Sequence, residues 1–296
     1  MDPRPYGPFQ YIPLPKRPKL TWPNGARLAF WVAPNIEFFD LREPMPDDNN
    51  QRVARDKAKI PFVYSWANRD YGNRVGIWRV MDVMQKHGVR GTVPLNSMVC
   101  QYHPEIIAAA IELKWELMGH GMTNAVRLNE MPPDEERAAI RQVFDTIGKA
   151  SGKRPRGWLG SGLAETWNTL DYLIDEGCEY ICDWVNDDQP YLMDVNGRRL
   201  VSIPYTWEAN DVLIKSDKIS TDEFELIMKR QFDVLYREGA QSGRVMCIAL
   251  HPFIIGAPHR IDSLDRVLKY IVSQPDVWVT TGGEIMDQYL KAGVTW

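Results

Sequence analysis

Short apolar runs alternate with amphipathic stretches along most of the chain. Residues 27–34 (RLAFWVAP) are apolar at nearly every position, as in a strand that is buried on both faces. Residues 75–87 place Ile77, Met81 and Met84 at helical spacing. Further strands are predicted at residues 92–95, 115–118, 157–159, 180–183, 200–204, 245–250 and 277–280. Further helices are predicted at residues 104–113, 134–150 and 284–290, and after Ser220, which opens a capping box with Glu223.

The alternation predicts a single α/β barrel of about seven or eight strand–helix units. A chain of 296 residues can bury one core of that size, and no linker interrupts the series. Residues 1–25 are rich in proline and form no apolar pattern of their own. We therefore predict an extended arm at residues 1–25 and a barrel domain at residues 26–296. Such an arm packs either on its own chain or on a neighbouring subunit.

Polar residues follow the predicted strands at the points where the strands end. In a barrel of parallel strands these ends meet at one rim, where active sites are built. Two histidines, several carboxylates and several amides would converge there, so an enzyme is the leading class. The residues that we expect at this rim are Asn35, Glu37, His120, Trp158, Asp183, Trp184, Asn210 and His251.

Each of these signals has a structural alternative when it is taken alone. Glu37 is also typical of a helix cap or an ion pair, and His120 between two glycines is typical of a tight turn. His251 precedes a proline, where a structural histidine is also expected. It is the occurrence of all of them at strand ends that favours a functional site.

The composition of the chain indicates which binding partners and which cellular compartment to expect. The net charge of −4 argues against nucleic acid and against an anionic membrane as partner. Four cysteines without metal-site spacing favour a reduced, cytoplasmic setting over a disulfide framework. The first residues lack the apolar run of a signal peptide, and no stretch is long enough to cross a membrane.

Several motifs together make the chain similar to a known family. They are 35–37 (NIE), 119–121 (GHG), 157–158 (GW), 183–191 (DWVNDDQPY), 203–211 (IPYTWEAND), 232–240 (FDVLYREGA) and 250–260 (LHPFIIGAPHR). On these stretches the chain resembles the polysaccharide deacetylase (NodB-like) superfamily, and within it the branch of metal-independent bacterial allantoinases. The resemblance implies a distorted (β/α)7 barrel, hydrolysis of amide or cyclic ureide bonds, and a homo-oligomer, either a dimer or a tetramer.

The motifs depart from those of the metal-dependent deacetylases. Those enzymes carry adjacent aspartates in the first motif, and two histidines four residues apart in the second. Here the first motif offers Asn35 and Glu37, and Asn124 stands four residues after His120. A zinc site needs three good ligands and an open position. We therefore expect no cofactor, with a divalent metal such as zinc on Glu37, His120 and Asn124 as the alternative.

The leading hypothesis is a hydrolase that opens a cyclic ureide or imide, such as allantoin, or cleaves a related small amide. Amide hydrolysis needs an activated water and a proton for the leaving nitrogen. Glu37 is the candidate base, or the group that orients His120, and His251 is the candidate acid. Trp158, Trp184 and Asn210 would shape the pocket, with Asn35 and Asp183 beside them. A metal-dependent deacetylase of an N-acetylated sugar, and an inactive barrel that only binds a small ligand, are the alternatives.

Overall fold

Nine strands form the framework of the computed structural model, which describes residues 1–43, 45 and 62–293. Each predicted strand is present among them, with ends that differ by at most two residues. In chain order they are β1 Leu28–Pro34, β2 Thr92–Leu95, β3 Glu116–Gly119, β4 Gly157–Trp158, β5 Tyr180–Ile181, β6 Tyr191–Val195, β7 Arg198–Ser202, β8 Arg244–Leu250 and β9 Val277–Val279.

Seven parallel strands close into a barrel around β1. β8 pairs with β1 along its whole length, from Leu28 opposite Arg244 to Pro34 opposite Leu250. On its other side β1 pairs first with the short strand β9 and then, at Ile36, with β2. β2, β3, β4, β5 and β7 continue the parallel series, and a bridge from Asn210 to Ala249 returns it to β8. The fold is therefore the expected distorted (β/α)7 barrel, in one domain.

The helices cover the outside of this barrel, and the predicted ones are present. α5 begins after Pro132 with acidic residues in its first turn, and it ends at Gly152 in the left-handed conformation. α8 begins with the Ser220 capping box. The helices are α1 Val63–Tyr71, α2 Ile77–Lys86, α3 Val99–Tyr102, α4 Pro104–Glu112, α5 Pro133–Ser151, α6 Thr169–Asp175, α7 Leu213–Ser216, α8 Thr221–Gly239, α9 Pro252–Ile255, α10 Ile261–Val272 and α11 Gly282–Ala292.

Strand β6 was not expected from the sequence. It pairs antiparallel with β7 through a turn at Asn196 and Gly197, both with positive φ. An Asn-Gly pair between two strand-like runs is a strong hairpin signal, so the sequence did contain the information. The hairpin occupies the edge of β7 on the side of β8, which explains why the barrel is closed there only by a bridge.

The proline-rich arm packs on its own chain. Phe9 contacts Trp184 and Tyr191, with ring centroids 5.5 and 4.8 Å apart. Arg17 donates two hydrogen bonds of 2.6 Å to the carboxylate of Asp187. Leu20 is buried in the main core. In the described part of the chain, no helix is long and apolar enough to cross a membrane.

A close backbone contact fixes the segment after β8. The π-helix Gly72–Gly76, between α1 and α2, packs on α9 through Gly76. A Cβ on Gly76 would collide with the carbonyl oxygen of Pro252 and lie 2.8 Å from its carbonyl carbon. The same π-helix carries Asn73, whose side chain donates a 2.8 Å hydrogen bond to the carbonyl oxygen of Glu37. The contact therefore holds the segments after β1 and β8 together.

We expect Gly76→Ala to destabilise the protein by about 1–3 kcal/mol, since the added methyl group meets backbone that cannot rotate away. Gly148→Ala, in the interior of α5, is the matched control, because its Cβ would meet only Arg154 at 3.4 Å or more. It should stabilise the helix by about 0.5–1 kcal/mol. Denaturant unfolding of both variants measures this. Equal stability of the two would contradict the proposed backbone contact.

Candidate active site

A cavity of about 240 Å³ lies at the carboxyl ends of the barrel strands. The structure brings five of the residues predicted from the sequence to its lining, namely Asn35, Glu37, His120, Asn210 and His251. They arrive from the segments that follow β1, β3, β7 and β8. The parallel order of the barrel explains the convergence, because all four segments leave their strands at the same rim.

Glu37 occupies the centre of this group. Its side chain is 9% exposed, and its Oε1 atom lies 3.7 Å from Nε2 of His120 and 3.7 Å from Nε2 of His251. Burial raises the pKa of Glu37, but His120, His251 and Arg69 favour the charged form and together lower the pKa below its ordinary value. Glu37 is therefore a carboxylate at neutral pH.

His251 is held by a second, fully buried carboxylate. Its Nδ1 atom lies 2.7 Å from Oδ1 of Asp211, whose Oδ2 accepts the backbone N–H of His251 at 2.8 Å. Burial lowers the pKa of His251, but the negative charges of Asp211 and Glu37 outweigh it and raise the pKa above the ordinary value. His251 therefore keeps its proton to higher pH than a free imidazole, with Nε2 turned to Glu37.

His120 has a different partner. Its Nδ1 atom lies 2.6 Å from the carbonyl oxygen of Leu159. A carbonyl oxygen only accepts hydrogen bonds, so Nδ1 must carry a proton. In the neutral ring the lone pair is then on Nε2, which faces Glu37.

A chain of amides fixes which atom of Asn124 faces Glu37. The backbone N–H of Phe38 donates to Oδ1 of Asn96 at 2.8 Å, so the NH2 group of Asn96 points the other way, to Oδ1 of Asn124 at 3.1 Å. The Ser161 hydroxyl donates to the same Oδ1 at 2.6 Å. Asn124 therefore presents its NH2 group to Oε1 of Glu37. The backbone N–H of Phe38 therefore fixes the orientation of the amide groups of both Asn96 and Asn124.

Two further amides present opposite groups to the cavity. The NH2 group of Asn35 donates to the carbonyl oxygens of Ala33 and Leu250 and to the hydroxyl of Tyr205. Its Oδ1 atom is left as an acceptor. Oδ1 of Asn210 accepts the backbone N–H of Val212 at 3.0 Å, which leaves the NH2 group of Asn210 as a donor.

Three residues expected in the pocket lie outside its lining. Trp158 is fully buried and stacks on Phe144 of α5, because its position on β4 points outward to the helix layer. Trp184 turns towards the arm, and its Nε1 donates to Glu165 at 3.0 Å. Asp183 lies behind the cavity and accepts the backbone N–H of Gly160 at 2.6 Å. Burial raises the pKa of Asp183 to about 7.

Five residues of the site were not singled out from the sequence. Asp211, Tyr205 and Trp207 stand in the 203–211 motif beside Asn210, so that motif contained a signal for them. The other two, Arg69 on α1 and Arg127 eight residues after β3, follow no strand end directly, and both line the cavity.

The residues of the site do not fit a zinc ion. No three His, Cys, Asp or Glu side chains in the described ranges are arranged to hold a metal. The third candidate ligand, Asn124, uses its amide oxygen for two hydrogen bonds and turns an NH2 group to the site. An NH2 group has no lone pair for a metal, so Glu37 and His120 are the only two members of this candidate ligand set that can bind one, where three are needed.

Known proteins resemble this chain in sequence and in fold. Residues 66–181 match the polysaccharide deacetylase family. This segment of the chain is therefore similar to that family. This match covers the segment of His120 and Asn124, while Glu37, Asn210 and His251 lie outside it.

Three relatives align over most of this chain. A protein of Schizosaccharomyces pombe named "Putative polysaccharide deacetylase" is 26% identical over an alignment of 290 positions, which covers 89% of this chain and 90% of the relative. The crystal structure of PuuE allantoinase superposes with a TM-score of 0.85 at 27% identity, and covers 98% of both chains. A probable polysaccharide deacetylase from Pseudomonas aeruginosa PAO1 has a TM-score of 0.82 at 26% identity, over 93% and 94% of the two chains.

The ligand set predicts that the purified protein holds well under one zinc ion per chain after dialysis against buffer that contains zinc. Asn124→His, which supplies an imidazole nitrogen beside Glu37 and His120, should raise the zinc content towards one. Elemental analysis measures both proteins. Stoichiometric zinc in the unaltered protein would show that Asn124 or His251 serves as a ligand after all.

Proposed function

We propose that this protein hydrolyses a carbon–nitrogen bond in a small cyclic ureide, cyclic imide or related amide, without a metal ion. The observation that carries the proposal is the carboxylate of Glu37 between two imidazoles, each at 3.7 Å and each with its other nitrogen already bonded. This arrangement contains a base and an acid at one point of a cavity.

Attack by water is the first step. We assign Glu37 as the base that takes a proton from the attacking water, while His120 Nε2, 3.7 Å from Oε1 of Glu37, helps to keep this carboxylate charged. The water oxygen bonds to the carbonyl carbon, and the carbonyl oxygen becomes an oxyanion. The hydroxyl of Tyr205 accepts from Asn35, so its own hydrogen is available to the oxyanion.

Departure of the nitrogen is the second step. The oxyanion re-forms the carbonyl as the carbon–nitrogen bond breaks, and the proton of His251 Nε2 passes to the leaving nitrogen. Asp211 supports this role, because its carboxylate favours the imidazolium form of His251 before the transfer. The products are a carboxylic acid and an amine or amide nitrogen, which remain in one molecule when the substrate is a ring.

The lining supports a ureide or imide as substrate. These groups combine carbonyl oxygens, which accept, with N–H groups, which donate. Asn210 offers a donor and Asn35 offers an acceptor. The cavity of about 240 Å³ is smaller than typical drug-sized pockets of about 300–1,000 Å³, which favours a small molecule over a polymer chain. The allantoinase named among the structural relatives agrees with this substrate class.

Turnover of a panel of cyclic ureides, cyclic imides and acetamido sugars tests the proposal directly. We expect hydrolysis of a ureide or imide, undiminished by chelator. Glu37→Gln and His251→Asn should each lower kcat by about 10²–10⁴-fold, the usual contribution of a positioned base or acid. Asn at position 251 keeps a donor for Asp211, which avoids leaving a buried carboxylate unpaired.

The matched control for His251→Asn is His87→Asn, because His87 also pairs with a carboxylate, Asp265, but lies outside the cavity. It should leave kcat unchanged. Melting temperatures on the same preparations separate loss of chemistry from loss of fold. Hydrolysis of acetamido sugars alone, with activity lost in chelator, would favour the metal-dependent deacetylase instead.

The pKa shifts predict a bell-shaped dependence of kcat/KM on pH. Activity is lost at acid pH as Glu37 is protonated and at alkaline pH as His251 loses its proton. Asp211→Asn removes the charge that raises the pKa of His251, so its alkaline limb should move to lower pH. Asp265→Asn, which removes the partner of His87, should move neither limb. An unchanged alkaline limb in Asp211→Asn would exclude His251 as the acid.

A further inference from the structure

The cavity holds more positive than negative side chains. Glu37 is the one carboxylate among the described lining residues, and the two imidazoles face it. Arg69 and Arg127 also line the cavity, and the raised pKa of His251 adds further positive charge. The whole chain has a net charge of −4, so this local excess of cations runs against the overall balance. A cleft lined by one sign of charge concentrates ligands of the opposite sign.

The two arginines differ in the contacts that their guanidinium groups form. Arg69 donates to the hydroxyl and carbonyl of Ser65, and its guanidinium lies over the rings of Phe39 and Phe253. It is therefore held in the wall next to the segments after β1 and β8. These contacts use much of the hydrogen-bonding capacity of Arg69. Arg69 therefore contributes positive charge to the cavity rather than hydrogen-bond donors for a ligand.

Arg127 stands on the segment after β3, on the side of His120 and Asn124. Its guanidinium lies against Gly162, where an added Cβ would be 3.0 Å from Cζ. Gly162 has a positive φ of 66°, and its segment also supplies Ser161 to the amide chain. Within the described part of the chain Arg127 forms no ion pair with a carboxylate. A guanidinium at a cavity wall without a carboxylate partner can form two parallel hydrogen bonds with a ligand carboxylate.

We propose that Arg127 binds a carboxylate group of the substrate, and that the substrate is a small ureide, imide or amide that carries this negative charge. This inference rests on the hydrolysis proposed above and narrows its substrate class. Arg127 acts in recognition and orientation. The scissile bond lies at Glu37 and His251, and the charged end of the substrate lies at the wall formed by Arg127 and Gly162.

Binding of a matched pair of ring compounds tests this inference without turnover. The probes are imidazolidinone, a cyclic urea, and imidazolidinone carboxylate, the same ring with one carboxylate added. Calorimetric titration of the full-length protein at low salt should show about 5–30-fold tighter binding of the carboxylate, as one charge-assisted pair would give. The preference should weaken as salt is added, because the arginine is exposed.

Arg127→Ala should remove this preference and leave the affinity for the neutral ring nearly unchanged. Arg127→Lys should retain part of it, since lysine keeps the charge but not the paired geometry. Arg230→Ala is the matched control, an exposed arginine on α8 outside the cavity lining, and should retain the preference in full.

Two outcomes would overturn the inference. One is equal affinity of the unaltered protein for both probes, and the other is a preference that survives in Arg127→Ala. Either result leaves the hydrolase proposal standing if the panel of ureides and imides is turned over. If the carboxylate preference depends on Arg127 but no ureide, imide or amide is hydrolysed, the hydrolase proposal fails and the anion site stands.

Discussion

The site depends on keeping the charge of Glu37 stable in a place with little water. A buried carboxylate costs several kcal/mol unless other groups compensate it. Here the compensation comes from the imidazoles of His120 and His251, the amide of Asn124 and the charge of Arg69. These groups come from the segment after β3, the segment after β8 and helix α1, so closure of the barrel and stability of the charge require one another. The contacts that offset the cost of burying the carboxylate of Glu37 also place a base and an acid together.

Directionality is the second feature of this site. Amides and imidazoles can each present a donor or an acceptor, and their chemistry depends on which atom faces the substrate. In Asn124 the choice follows from a backbone N–H at Phe38, passed on through Asn96. In His120 it follows from the carbonyl of Leu159, and in His251 from Asp211. Backbone groups cannot reverse their polarity, so the chemistry of the cavity is anchored in the fold.

Much of the fold could be predicted from the sequence because its signals are local. The apolar runs of β1 and β8, the helical spacing in α2 and the capping box of α8 all depend on residues a few positions apart. The convergence of Glu37, His120, Asn210 and His251 followed from one rule, that parallel strands end at the same rim. The hairpin of β6 and β7 was missed although its Asn-Gly turn was visible.

What the sequence alone could not provide is the direction of each side chain and its distant partners. Trp158 and Trp184 stand at strand ends as Asn210 does, yet the pleat turns one outward to a helix, and the arm draws the other away. Arg127 carries no local signal, since it follows no strand end directly and its contact in the cavity wall is with Gly162, 35 positions later. The sequence determined which chemical groups are present and on which strands, because those follow from composition and periodicity. The tertiary structure decided which of them meet, because contacts between distant segments depend on closure of the barrel.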